Sequence, residues 1–170
     1  MPTAAEFGNF ATTNMIQEAT AFKTVQRGEY RFQGNKIYEF DVEKGYARIG
    51  GKVSKDGQVK GSVFMKLQWK EERGANGKLK VACRLYAQAL KALYPNNTVE
   101  ELAAVDAKDL VDNMVKFPTT VFVGEYYAVP DNTNSYGSRR VTPKNADEIK
   151  DLLKQGATAK NEVISVSAAK

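Results

Sequence analysis

From residue 58 to residue 70 apolar and polar side chains alternate. Val59, Gly61, Val63, Met65, Leu67 and Trp69 fall on one side, and Gln58, Lys60, Ser62, Phe64, Lys66, Gln68 and Lys70 on the other. Alternation of this kind predicts an antiparallel strand with one face on a core and one in water. Phe64 breaks the rule, an aromatic ring set among Lys60, Ser62 and Lys66. Upstream, residues 45–54 predict a second strand, and Asp56-Gly57 between the two is the dipeptide of a primed hairpin turn. Residues 28–43 predict a first strand, bulged at Gly34, in which Tyr38, Phe40 and Val42 alternate with Glu39, Asp41 and Glu43.

After a turn at Asn76-Gly77 the period of two continues through Leu79, Val81 and Cys83, then gives way to helical spacing at Leu85, Ala89, Leu90 and Leu93, with Pro95 closing the helix. Thr98 and Glu101 have the form of a capping box. Asp106 can cap a further helix that turns Leu110, Val111 and Met114 inward. Residues 119–129 carry apolar side chains on both faces, which predicts a central strand. A polar loop over 130–138 contains Tyr136, and Arg139-Arg140-Val141 begins a short last strand. Asn145 can cap a helix over 146–155, stopped by Gly156. The expected division is an N-terminal arm or short helix over 1–27, one domain over 28–156, and a flexible tail of small and polar residues over 157–170.

A chain of 170 residues, 42% hydrophobic and 26% charged, fits one soluble domain. No apolar run approaches the roughly 20 residues that cross a bilayer, and residues 1–10 lack the pattern of a secretory signal. The lone Cys83 cannot form an internal disulfide, which suits a reducing cytoplasm; its spacing predicts a buried structural thiol. With no histidine, the usual zinc sites and histidine-activated nucleophiles cannot be assembled. No Gly-rich phosphate loop is present, and Asp56, Glu71 and Glu72 read as a turn residue and two exposed acids in preference to a metal cluster. The expectation is a protein that is not an enzyme and needs no cofactor or metal, with a Mg²⁺-dependent nuclease as a further alternative.

Charge is segregated. Between Lys44 and Lys91 twelve basic residues stand against three acids, a local +9 in a chain whose total is +5. A segregated field attracts a polyanion better than a diluted one, and the interleaved aromatics offer surfaces on which unpaired bases can stack. Lys52, Lys60, Lys66 and Lys70 are candidate phosphate contacts, because the last three share one face of a strand, and Arg48 lies among them. Phe64 and Tyr46 are the candidate stacking rings, and Tyr136, Arg139 and Arg140 candidates at the border of the groove. Trp69, in phase with Val63 and Leu67, is assigned to the core. The competing reading is an ordinary solvated face.

Three strands, a helical insertion and two more strands give a mainly β, α+β chain in the order of an OB-fold: a five-stranded antiparallel barrel, here with a C-terminal helix, whose second and third strands commonly bind nucleic acid. Gly28-Glu29-Tyr30 opening a strand, the central strand from Val63 to Trp69, the helix over 84–94 and Val121-Phe122-Val123-Gly124 after the helices resemble the layout of small single-stranded-DNA-binding proteins among phage replication and recombination genes. The resemblance covers about residues 28–141 and has no short diagnostic signature. It implies a strand held in a basic aromatic groove. Members of that group often recruit replication partners through an acidic tail; here the tail carries Lys160, Glu162 and Lys170 and is not acidic. The resulting expectation is a binder of single-stranded DNA, or alternatively RNA, with weak sequence preference, acting in replication or recombination. It would have no membrane contact, and a homo-oligomer and protein partners are compatible with it. The alternative is a phage structural or protein-interaction module that uses the same sheet for protein contacts.

Overall fold

The computed structural model describes residues 24–170. All but residues 24–27 of the expected N-terminal arm or short helix lie outside these residues. The chain runs β1 (Gly28–Asp41), β2 (Tyr46–Lys55), β3 (Gln58–Gln68), α1 (Val81–Leu93), α2 (Val99–Ala103), α3 (Ala107–Lys116), β4 (Thr119–Pro130), β5 (Ser138–Val141), α4 (Ala146–Lys154) and β6 (Thr158–Ala168). No helix among the described residues is long and apolar enough to cross a membrane.

The first three strands form an antiparallel meander. Asp56 and Gly57 both adopt positive φ, 53° and 77°, as a primed two-residue turn requires. The expected bulge near Gly34 is present, between Gly34 and Lys36, and a second lies between Ile37 and Glu39. Gly34 also packs on α3, where a Cβ would lie 2.6 Å from the Met114 carbonyl oxygen. Thr98 and Glu101 form the reciprocal capping box, and Asp106 and Asn145 accept from the backbone N–H groups of Asp109 and Glu148.

Two expectations are corrected. Val81 and Cys83 belong to α1, not to a strand: Leu79 forms an isolated bridge with Arg73, and Val81 and Cys83 already lie in the first turn of a helix whose buried face is Cys83, Leu85, Ala89 and Leu90. Residues 158–168 are not a tail but β6, which pairs antiparallel with β4 from Thr119↔Ala168 to Ala128↔Thr158.

The sheet therefore has six strands, all antiparallel to their neighbours, in the order β3-β2-β1-β4-β5 with β6 on β4. As expected, β4 is central. Its first half pairs with β1, its second half with β5, and β6 covers its other edge. No backbone pairing joins β3 to β6 among the described residues, although the two strands come within 8 Å between Cα atoms.

The main core lies between the sheet and α1 and α3, and contains Phe32, Ile49, Leu67, Leu110, Met114, Val121 and Val123, all fully buried. Val25 joins this core ahead of β1. Its backbone N–H donates to Asn161 Oδ1 at 2.8 Å, and Asn161 Nδ2 donates back to its carbonyl at 2.9 Å. Trp69 packs at the edge of the core between Phe40 and Tyr86, as expected. A smaller cluster of Tyr127, Val129, Leu152 and Ala157 seats α4 against the far end of β4.

Candidate nucleic-acid interface

Side chains of β1, β2 and β3 that point away from the core share one outer surface. Register sets Arg48 opposite Lys66, Gly50 opposite Phe64 and Lys52 opposite Ser62. On the other side of β2 it sets Glu39 opposite Arg48 and Lys36 opposite Gly50. Gly50 leaves this surface open, and a Cβ there would lie 2.6 Å from Tyr38 Cε2 and 3.1 Å from Phe64 Cδ1. The two rings meet over the glycine edge to face, with centroids 5.2 Å apart and planes at 68°. Tyr38 is 51% exposed and Phe64 54%. Burial of apolar rings is the ordinary outcome of folding, so two neighbouring rings left half in water form a surface suited to a flat apolar partner.

Cations surround the pair. Lys36 Nζ lies 4.7 Å from the Tyr38 centroid. Arg48 and Lys66 join Tyr38 and Phe64 in lining a concavity of about 310 Å³. On the other side of Phe64 a second concavity, about 380 Å³, runs to β6 and is lined there by Thr158, Ala159 and Lys160. Arg48 and Lys66 stand directly opposite one another, and like charges in that arrangement repel.

Tyr46 and Glu39 hold these two cations. The Tyr46 ring lies 4.4 Å from Lys66 Nζ and 5.7 Å from Arg48 Cζ. Its hydroxyl donates to Glu39 Oε1, and Glu39 Oε2 lies 3.3 Å from Arg48 Nε. That hydrogen bond to a carboxylate holds the phenol above its ordinary range. Tyr46 is only 8% exposed, so the expectation that it is a stacking ring is corrected: it is a support beneath the cations.

Lys52 is exposed on the same surface, and Lys60 follows at the bulge near the hairpin tip, its Nζ donating to Gln58 Oε1 at 3.1 Å. Lys70 lies at the other end with Lys44, Tyr46 and Lys66, but Glu71 and Glu72 share that concavity and dilute its charge. The buried Gln68 fixes this end of the strand by donating to the Lys70 carbonyl at 2.8 Å and to Glu72 at 2.9 Å. Together with Lys80, that contact holds the Glu72 carboxyl below its usual range.

No protein-family model, curated protein or solved structure matches this chain.

The three border residues are not gathered at the ring pair. Arg139 lies 3.9 Å from Asp131 and donates to Gln155 at 3.2 Å. Arg140 is bound to the Glu162 carboxylate and stands 4.4 Å from the Tyr126 ring. Lys160, the cross-strand partner of Tyr126, lines the concavity beside Phe64 and so links the two surfaces. Tyr136 projects from the 131–137 loop, 90% exposed. Asp56 sits in the β2–β3 turn, at the opposite end of β3 from Glu71 and Glu72, and no cluster of metal-ligating side chains occurs among the described residues.

Sequence reasoning missed Lys36, Tyr38 and Lys160. Tyr38 shares parity with Phe40, and only the bulge between Ile37 and Glu39 separates their faces. Lys160 lay in the segment expected to be a tail.

Proposed function

We propose that the protein binds single-stranded nucleic acid, DNA in the first instance, through the outer face of β1, β2 and β3 and without catalysing a reaction. The observation that carries this reading is the half-exposed Tyr38–Phe64 pair above Gly50, ringed by Lys36, Arg48, Lys52 and Lys66. Rings supply stacking that does not depend on base identity, and cations follow the phosphates. The strand order supports an OB-like reading. The β1–β3 meander, β4 on β1, β6 on β4 and the approach of β6 to β3 would form a partly open barrel, with β6 in place of β5 as its fifth strand. In such a barrel the second and third strands carry the nucleic-acid face, and here they carry Arg48, Lys52, Phe64 and Lys66. A role in replication or recombination rests on the resemblance alone.

Fluorescence anisotropy with a labelled dT oligonucleotide tests the proposal. Binding is expected at low salt and should weaken by about 0.7 log unit per phosphate contact for each log unit of salt, so about four contacts give a slope near −3. Unlabelled duplex at equal nucleotide concentration should compete poorly, since paired bases cannot stack on the rings. Absence of binding at low salt refutes the proposal and favours a protein-contact role for the sheet. Duplex that competes better than single strands would reduce the site to charge alone.

A further inference from the structure

We infer that Arg48 reads the edge of a base stacked at the Tyr38–Phe64 pair and gives the site a preference for guanine at one position; this rests on the proposed single-strand binding. An arginine that follows phosphates is usually a mobile chain with its whole guanidinium in water. The Arg48 side chain is 58% exposed but has a contact on each of two sides. Glu39 lies 3.3 Å from its Nε, and the Tyr46 ring lies 5.7 Å from its Cζ. Glu39 is itself fixed, because its second oxygen accepts the Tyr46 hydroxyl.

Anchoring through Nε leaves the two Nη groups, which have no hydrogen-bond or ion-pair partner among the described residues. Arg48 is the cross-strand partner of Lys66, two residues from Phe64 on the same face, and it lines the concavity that the two rings form. A base lying on the Phe64 ring in that concavity turns its edge toward the fork. A guanidinium fork with two free donors matches the paired acceptors O6 and N7 of guanine. Adenine offers N7 beside a donor, and pyrimidines have no N7. The Glu39 carboxylate cannot compete as a reader, since both its oxygens are engaged.

The test uses the full chain and dT oligonucleotides in which a single position is replaced in turn by dG, dA, dC, 7-deaza-dG or deoxyinosine. At the best position dG should bind about fivefold or more tighter than the all-dT parent, deoxyinosine should match dG because it keeps O6 and N7, and 7-deaza-dG should lose the gain. In Arg48→Met the ratio of dG to dT affinity should fall to about one, whatever happens to overall affinity, because a thioether has no donor for O6 or N7. Glu39→Gln, which loosens the anchor, should reduce the same ratio. If all four bases bind equally while dT still binds, the edge-reading role of Arg48 is wrong and the single-strand reading stands. Persistence of the preference in Arg48→Met also overturns it. Failure of every oligonucleotide to bind overturns both.

Discussion

Replacing Phe64 with alanine separates a surface ring from a core ring, because the two roles predict different magnitudes in different assays. The ring is 54% exposed. Full burial of a phenylalanine contributes about 1.5–3 kcal/mol, so roughly half of that, about 1 kcal/mol, is at stake in Phe64→Ala. Loss of the edge-to-face contact with Tyr38 adds about 0.5–1 kcal/mol. For a chain of this length about 2–4 °C of Tm corresponds to each kcal/mol, so thermal melting should fall by about 3–8 °C. A stacked base, in contrast, is worth about 1–3 kcal/mol, which predicts a 5- to 150-fold loss of oligonucleotide affinity. The salt slope should stay the same, since no phosphate contact is removed. Lys66→Ala is the counterpart: a modest loss for every sequence, a slope reduced by about 0.7, and little change in Tm. The reasoning is refuted if Phe64→Ala lowers Tm by well over 10 °C while the Kd per folded molecule changes less than twofold. The ring would then be structural, and the strand would have to be sought on the surface of Tyr126, Arg140 and Lys160.

Gly50→Val should leave the protein folded, with a stability loss of about 1–3 kcal/mol from overpacking, because the rings it strikes are half exposed and can swing aside. It should weaken oligonucleotide binding as much as Phe64→Ala does, and unchanged binding would show that the paired arrangement of the rings is not used. Glu72 has a lowered pKa, first from the Gln68 hydrogen bond and then from Lys80. The stabilisation it contributes is therefore complete above the ordinary carboxylate value and lost as pH falls through the lower folded value. Glu72→Gln should accordingly flatten the decline of Tm on the acid side of pH 4.5, and an identical pH–Tm curve would rule out this coupling. Deletion of residues 158–170 removes Val163 and Val166, each about 95% buried, together with the pairing along β4. Two buried valines alone represent about 3–6 kcal/mol against a total of about 5–15 kcal/mol, so the truncated chain should lose its cooperative melting transition. A truncated protein that melts like the full chain would return this segment to a tail.

The parts of the fold that were legible in the sequence are those fixed by residues close together in the chain. The β2–β3 hairpin follows from Asp56-Gly57 and the alternation over 61–67, although a bulge near the turn leaves Val59 63% exposed, and the caps at Thr98, Asp106 and Asn145 follow from side chains three residues from the N–H groups they accept. Where a bulge intervenes, parity fails. In β6 the buried residues are Val163 and Val166, three apart, because the register with β4 shifts between Phe122 and Val123. A strand whose inward residues are not two apart, and whose partner lies some 40 residues away, gives no local sign of itself. The same defect hid Tyr38, which a bulge turns from the side of Phe40 onto the outer face beside Phe64. Tyr46 shows the converse. Parity places it correctly on the outer face, but parity says nothing about Lys66 and Arg48, which cover it. β-Bulges re-aim side chains, and positions where local rules break tend to be those that function has shaped. The shifts after Gly34 and Ile37 in β1 and after Val53 in β2 lie on the three strands that carry the ring pair and its cations. The bulge after Ile37, which hid Tyr38 from a reading by parity, is therefore also what sets its ring beside Phe64 over Gly50.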